Sequence, residues 1–98
     1  MGERNTILLV NDGIYLYSHW NTPLELRSIL RDALIRGNNR WNDRAYLNRI
    51  IFSEMIQDEV LEETGFGLGT EQVDSDIVLK VNVDKKEVNG MSFEEFVK

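Results

Sequence analysis

Apolar residues recur along this chain in two rhythms, and the switch between them lays out its elements. Residues 6–10 (TILLV) and 14–18 (IYLYS) are short runs of β type on either side of Asn11-Asp12-Gly13. An Asp-Gly step between such runs signals a hairpin, because glycine accepts positive φ without steric cost. In the second run Ile14, Leu16 and Ser18 face one way, and Tyr15, Tyr17 and His19 the other. The period then becomes 3.6: Leu26, Ile29, Leu30, Ala33 and Leu34 predict a helix. Thr22-Pro23-Leu24-Glu25 opens it with an N-cap, a proline at the first position and a capping-box glutamate. Arg36-Gly37 closes it with a base and a residue expected at positive φ. The outer residues Arg27, Arg31, Asp32 and Arg36 read as solvated charge.

A second helix starts after the polar break Asn38-Asn39, with Asn42 or Asp43 as its cap. Leu47, Ile51, Phe52, Met55 and Ile56 cover a broad arc of its wheel, so it is expected to lie deeper than the first. Tyr46, Arg49, Ser53 and Gln57 form the opposing polar stripe. Asp58-Glu59 and Glu62-Glu63 would add like charge to the negative end of the dipole, so the helix is expected to end within residues 57–61. Residues 64–70 (TGFGLGT) alternate glycine with larger residues; they exclude a stable helix and are expected to be a loop or a mobile lid. Residues 77–83 (IVLKVNV) read as a strand with Ile77, Leu79, Val81 and Val83 on one face. A turn at Asp84-Lys85-Lys86 leads to a short strand at 87–89, and Ser92-Phe93-Glu94-Glu95 is a second capping box for a terminal helical turn. The order ββααββα predicts an α+β fold, an antiparallel sheet of about four strands with two main helices on one face.

The 98 residues suit a single domain over 1–98. Hydrophobic residues make up 42% of the chain, which places it among globular proteins. The chain has no cysteine, which excludes disulfides, a thiolate nucleophile and thiolate metal ligands. No apolar run reaches the roughly 18 residues of a membrane span, and the first residues lack a signal-peptide pattern; a cytoplasmic protein is expected. Seventeen acids against eleven bases argue against a long nucleic acid as partner. Yet every arginine lies before residue 50 while most acids follow it, so the basic half retains the means to hold a small anion.

Chemistry concentrates at few positions. His19, the single histidine, sits past a strand end where it can act as an acid, a base or a phosphate donor; the plainer reading is structural, since no catalytic partner stands at a telling spacing. With one histidine, and acids lacking EF-hand or HExxH spacing, no metal or cofactor is expected. Trp20 and Trp41 flank the first helix, either as packing or with at least one stacking on a planar ligand, a contact worth about 1–3 kcal/mol. Arg40, Arg44 and Arg49 lie near a helix start, where free amides and guanidiniums favour phosphate; alternatively Asp43 pairs with Arg40 or caps the helix. The glycines match neither a P-loop nor GxGxxG.

The blocks IYLYSHW, RWNDRAYLNRIIFSEMI and TGFGLG, with a strand ending in VNVD, resemble a family of small proteins of phage genomes and prophages. The shared pattern is Tyr-x-His-Trp, Arg-Trp-x-Asp-x-x-Tyr-Leu-x-Arg-Ile-Ile-Phe and Thr-Gly-aromatic-Gly. It is carried here by Tyr17, His19 and Trp20, by Arg40, Trp41 and Asp43 with the block from Tyr46 through Leu47 and Arg49 to Phe52, and by Thr64, Gly65, Phe66 and Gly67, within residues 14–84. The resemblance implies a phage-type accessory protein, and small phage proteins of this size often counter host immunity. Several resemble nucleotide sponges, which bind cyclic nucleotide signals without turning them over, generally as oligomers.

The leading expectation is therefore a non-enzymatic, homo-oligomeric binder of a small phosphorylated nucleotide signal in the host cytoplasm. Trp41, Trp20 or Tyr17 would stack the base, Arg40, Arg44, Arg49 and His19 would hold phosphate, and the loop from Thr64 to Thr70, with Thr64, Gly65, Phe66 and Gly67 as its ligand-binding residues, would close over the ligand. A second expectation is an inhibitor of a host protein that docks through acids at 58–63, Asp74, Asp76 and Glu94-Glu95. A third is a His19-dependent hydrolase or nuclease.

Overall fold

The computed structural model describes residues 4–72 and 75–98; Asp74 of the expected acidic face and the first three residues lie outside them. The elements in chain order are β1 (Asn5–Leu9), β2 (Ile14–Ser18), α1 (Pro23–Arg36), a 3-10 turn (Asn38–Arg40), α2 (Arg44–Ile56), β3 (Phe66–Gly69), β4 (Asp76–Asn82), β5 (Glu87–Val88), β6 (Met91–Ser92) and α3 (Phe93–Phe96). The fold is α+β, as expected, but the sheet has six strands in the order β3-β2-β1-β4-β5-β6 and is mixed. β1 pairs antiparallel with β2 and parallel with β4, which corrects the expected all-antiparallel sheet of about four strands. The reason is the crossover: β4 enters beside β1 only after both helices and β3, a connection long enough to return the chain in the same direction.

One core lies between the sheet and the helices. Ile7, Leu9, Leu16, Leu79, Val81, Val83 and Val88 from the strands meet Leu26, Leu30, Ala33 and Leu34 of α1, Leu47, Ile50, Ile51 and Met55 of α2, and Phe93 and Phe96 of α3. The two rhythms of the sequence each deliver one apolar face to this layer. β4 departs from simple alternation: its register slips between Thr6–Ile77 and Ile7–Leu79, so Val78 packs against the core where Ile77 was expected to. A bulge of this kind shifts every side chain before it by one position.

The helix boundaries follow their caps. The Thr22 hydroxyl accepts from Glu25 N (3.1 Å) and Glu25 Oε1 accepts from Thr22 N (2.8 Å), both halves of a capping box. Asp43 caps α2, accepting from Tyr46 N, and the helix stops at Gln57, inside the expected window. Gly37 is not at positive φ (−97°). Its role is close approach, since a Cβ there would lie 3.1 and 3.2 Å from Ile50 methyls. Arg36, read as solvated, instead ties α1 to α2 through Glu54 Oε1 (2.8 Å), Ser53 Oγ (2.9 Å) and the Ile50 carbonyl (3.1 Å).

Two strands were absent from the sequence-based expectation. β6 forms because Asn89 and Gly90 both hold positive φ (51° and 87°), the two-residue hairpin geometry that an Asn-Gly pair favours. The Asn89 side chain also accepts from Lys80 N (2.7 Å) and donates to the Val78 carbonyl (3.1 Å), extending the β4 ladder with side-chain atoms. β3 is the stretch expected to be a loop or lid. It is an edge strand paired antiparallel with β2, Tyr17 opposite Gly67 and Tyr15 opposite Gly69.

Candidate ligand-binding site

The glycine alternation that argued for a loop is a row of side-chain-free positions under a row of aromatic rings. Gly65, Gly67 and Gly69 share the sheet face that looks away from the helices, the face on which Tyr15 and Tyr17 of β2 stand. A Cβ on Gly65 would meet Trp20 Nε1 at 3.3 Å and one on Gly67 would meet Tyr17 Cδ2 at 4.0 Å. Trp20 thus lies against Gly65 and Tyr17 against Gly67, while the space above Gly69 is open. Aromatic residues compensate strand glycines in this way because the ring covers backbone that glycine leaves bare.

The row continues past the end of β2. His19 N donates to the Gly65 carbonyl (2.9 Å), which carries the β2–β3 ladder one pair further. The His19 ring stacks on Trp20, with centroids 4.4 Å apart at 20°, and meets Tyr17 edge-on at 6.4 Å. Trp20 remains 58% exposed. Below it the chain is held firmly: Asn5 Nδ2 donates to the Asn21 carbonyl (2.8 Å), and Ser18 Oγ donates to Asn21 Oδ1 (2.7 Å). A hollow of about 140 Å³ lies at Tyr15, Tyr17, Gly67, Leu68, Gly69 and Glu71. That is smaller than the roughly 300 Å³ at which closed pockets for whole small ligands begin, so it suits a single ring laid beside β3; further across the same face Thr6, opposite Tyr17, is fully buried and its hydroxyl meets Ser75 Oγ.

The expected site residues fall into two groups at opposite ends of β2. Tyr17, His19, Trp20, Gly65 and Gly67 come together in the aromatic row. Thr64 is exposed beside it, while Phe66 turns to the helix side and packs against the core. Arg44 belongs to the other end, where it pairs with Asp12 of the β1–β2 turn, with Arg40 and Trp41 just ahead of it in the chain and Arg49 five residues further along α2; β2 between the two ends is roughly 16 Å long.

Each of these four has its own local role. Arg44 is engaged by two carboxylates, Asp12 at 3.2 Å from Nε and Asp84 at 3.1 Å from Nη1. Trp41 Nε1 donates to the Leu34 carbonyl (3.0 Å), and its ring meets Phe93 edge-on at 5.2 Å, which makes it a clasp between α1 and α3. The Arg40 guanidinium lies over the Tyr46 ring at 5.0 Å. Arg49 is exposed on α2 and forms no ion pair among the described residues. The start of α2, expected to offer free amides to phosphate, already receives the Asp43 carboxylate.

Tyr15 and Gly69 belong to the aromatic row but stood outside the expected set. Their signal was the matched alternation of Tyr15-x-Tyr17-x-His19 with Gly65-x-Gly67-x-Gly69, legible only once the two stretches are known to pair. Among the described residues no group of histidines and carboxylates is placed to hold a metal ion. No described helix is long and apolar enough to cross a membrane. Compared with protein-family models, with curated proteins and with solved structures, the chain matches none of them.

Proposed function

We propose that this protein binds a planar ring, the base of a small nucleotide signal, on the aromatic row at the β2–β3 edge of its sheet, and holds it without turning it over. The observation that carries this reading is the run Tyr15, Tyr17, His19 and Trp20 above Gly65, Gly67 and Gly69. Stacking on such rings is worth about 1–3 kcal/mol per base and tolerates any base with a π face. His19, stacked within the row, is the group placed to donate to a phosphate there. Arg44, at the far end of β2, is already engaged by Asp12 and Asp84. The resemblance to phage proteins supplies a setting, sequestration of a cyclic nucleotide immune signal in the host cytoplasm. Titration calorimetry with cyclic di- and trinucleotides and cyclic ADP-ribose isomers tests the reading. Binding of at least one, lost in Tyr17→Ala and Trp20→Ala but kept in Arg49→Ala, is expected, with the ligand recovered intact. Silence with the whole panel would overturn it.

A second reading has an observation of its own. Val60 and Leu61 are 64% and 92% exposed and stand between Asp58-Glu59 and Glu62-Glu63. An apolar tip with acidic flanks fits docking on a basic host protein, as an inhibitor would. Capture of a partner from host lysate that is lost in Leu61→Ala yet survives Tyr17→Ala with Trp20→Ala would favour it.

A further inference from the structure

We propose that β3 is a self-pairing edge, and that two copies of this chain join antiparallel across a two-fold axis at Leu68 into one continuous sheet. The ladder itself shows which backbone groups are free. His19 N donates to Gly65 O, so Gly65 and its like-facing neighbours Gly67 and Gly69 bond inward to β2. By the same alternation the amides and carbonyls of Phe66 and Leu68 point outward. β3 ends the sheet, and among the described residues no strand receives them.

Edge strands are ordinarily protected by charge, proline, a bulge or a covering element. Phe66 through Thr70 contains no charge and no proline, its register with β2 is unbroken, and Leu68 is 60% exposed. The opposite edge differs: β6 is two residues long and runs directly into α3.

The occupant follows from symmetry. With Leu68 opposite Leu68 of the second copy, Gly67 falls opposite Gly69, and the outward amide and carbonyl of each Leu68 find their complement in the other. The two Leu68 side chains meet on the helix side. In a chain of net charge −6, self-association needs an uncharged seam, and Phe66–Gly69 carries no charge. An axis normal to the sheet keeps both aromatic rows on one face. Between them lies a floor of four glycines, Gly67 and Gly69 from each copy, walled by Tyr15 and Tyr17 of both. Three strand spacings separate the two walls, roughly 14 Å. That the pair would share a ligand there rests on the stacking function proposed above; the pairing itself does not.

A contact one strand wide is expected to be concentration-dependent. The chain has no cysteine, so Leu68→Cys places a single thiol on the axis, where directly opposed Cα atoms about 5.5 Å apart permit a disulfide. Mild oxidation is expected to give a covalent dimer with Leu68→Cys and little with Glu71→Cys, which lies past the strand end and away from the axis. Sedimentation should show a reversible dimer that Leu68→Pro abolishes, because that proline removes only an outward amide. Should Leu68→Pro fail to fold, the cysteine comparison decides alone. Wild-type protein that stays monomeric with no faster cross-linking at 68 than at 71, or a dimer that persists in folded Leu68→Pro, overturns the proposal. No ligand enters these measurements, so they stand or fall apart from the calorimetry.

Discussion

The indole of Trp20 covers Gly65: its Nε1 is 3.3 Å from where a Cβ on Gly65 would lie, and Gly65 holds φ +101°. Alanine at this position meets both the ring and a backbone conformation that side chains disfavour. Gly65→Ala is expected to cost about 1–3 kcal/mol, read as a fall in Tm, and to displace Trp20, read as a shift in its fluorescence. An unchanged Tm together with an unchanged spectrum would mean that the contact is not made.

Gly37 and Ile50 form the second close approach, between the end of α1 and the middle of α2. Gly37→Ala forces its methyl against Ile50 Cδ1 and Cγ2 and is expected to cost about 1–3 kcal/mol. The double variant with Ile50→Val, which shortens that side chain, should lose less than the two single losses combined. Strict additivity in chemical denaturation would place the strain elsewhere.

Asn89 supplies both a left-handed turn residue and two hydrogen bonds to β4. Asn89→Ala removes both contributions, while Asn89→Gly removes only the bonds. Alanine is therefore expected to be the more damaging of the two by about 1 kcal/mol in urea unfolding. Equal losses would assign the whole effect to the side-chain bonds.

Trp41 and Arg44, prominent in the sequence as ligand residues, are expected to report on stability instead. Trp41→Phe leaves the Leu34 carbonyl without its donor and should cost about 1 kcal/mol without weakening ligand binding by the folded protein. Arg44→Met loses pairs with Asp12 and Asp84, but these groups are largely solvated, so less than about 1 kcal/mol is expected, diminishing at high salt. A large loss of affinity with stability intact would return either residue to the binding site.

The sequence by itself determined what local physics governs. The Thr22 capping box and the 3.6 period set α1 at both ends, Asn42 or Asp43 marked the start of α2 and the acids after Gln57 bounded its end, and the alternation in 14–18 separated the core face of β2 from its aromatic face. It also carried one hairpin that went unread, since Asn89-Gly90 is an explicit two-residue turn. Tertiary structure decided whatever depends on a partner distant in sequence. TGFGLG has poor strand propensity alone and becomes a strand because β2 offers it a ladder and rings to cover its glycines. The parallel pairing of β1 with β4 and the bulge beside Ile77 follow from where the crossover returns. The site divided for the same reason: Arg40, Trp41, Arg44 and Arg49 lie near one another on the chain, but α2 begins at the opposite end of β2 from His19 and Trp20. Distance along a sequence constrains a helix or a turn, whereas only the packed sheet fixes which ends share a surface.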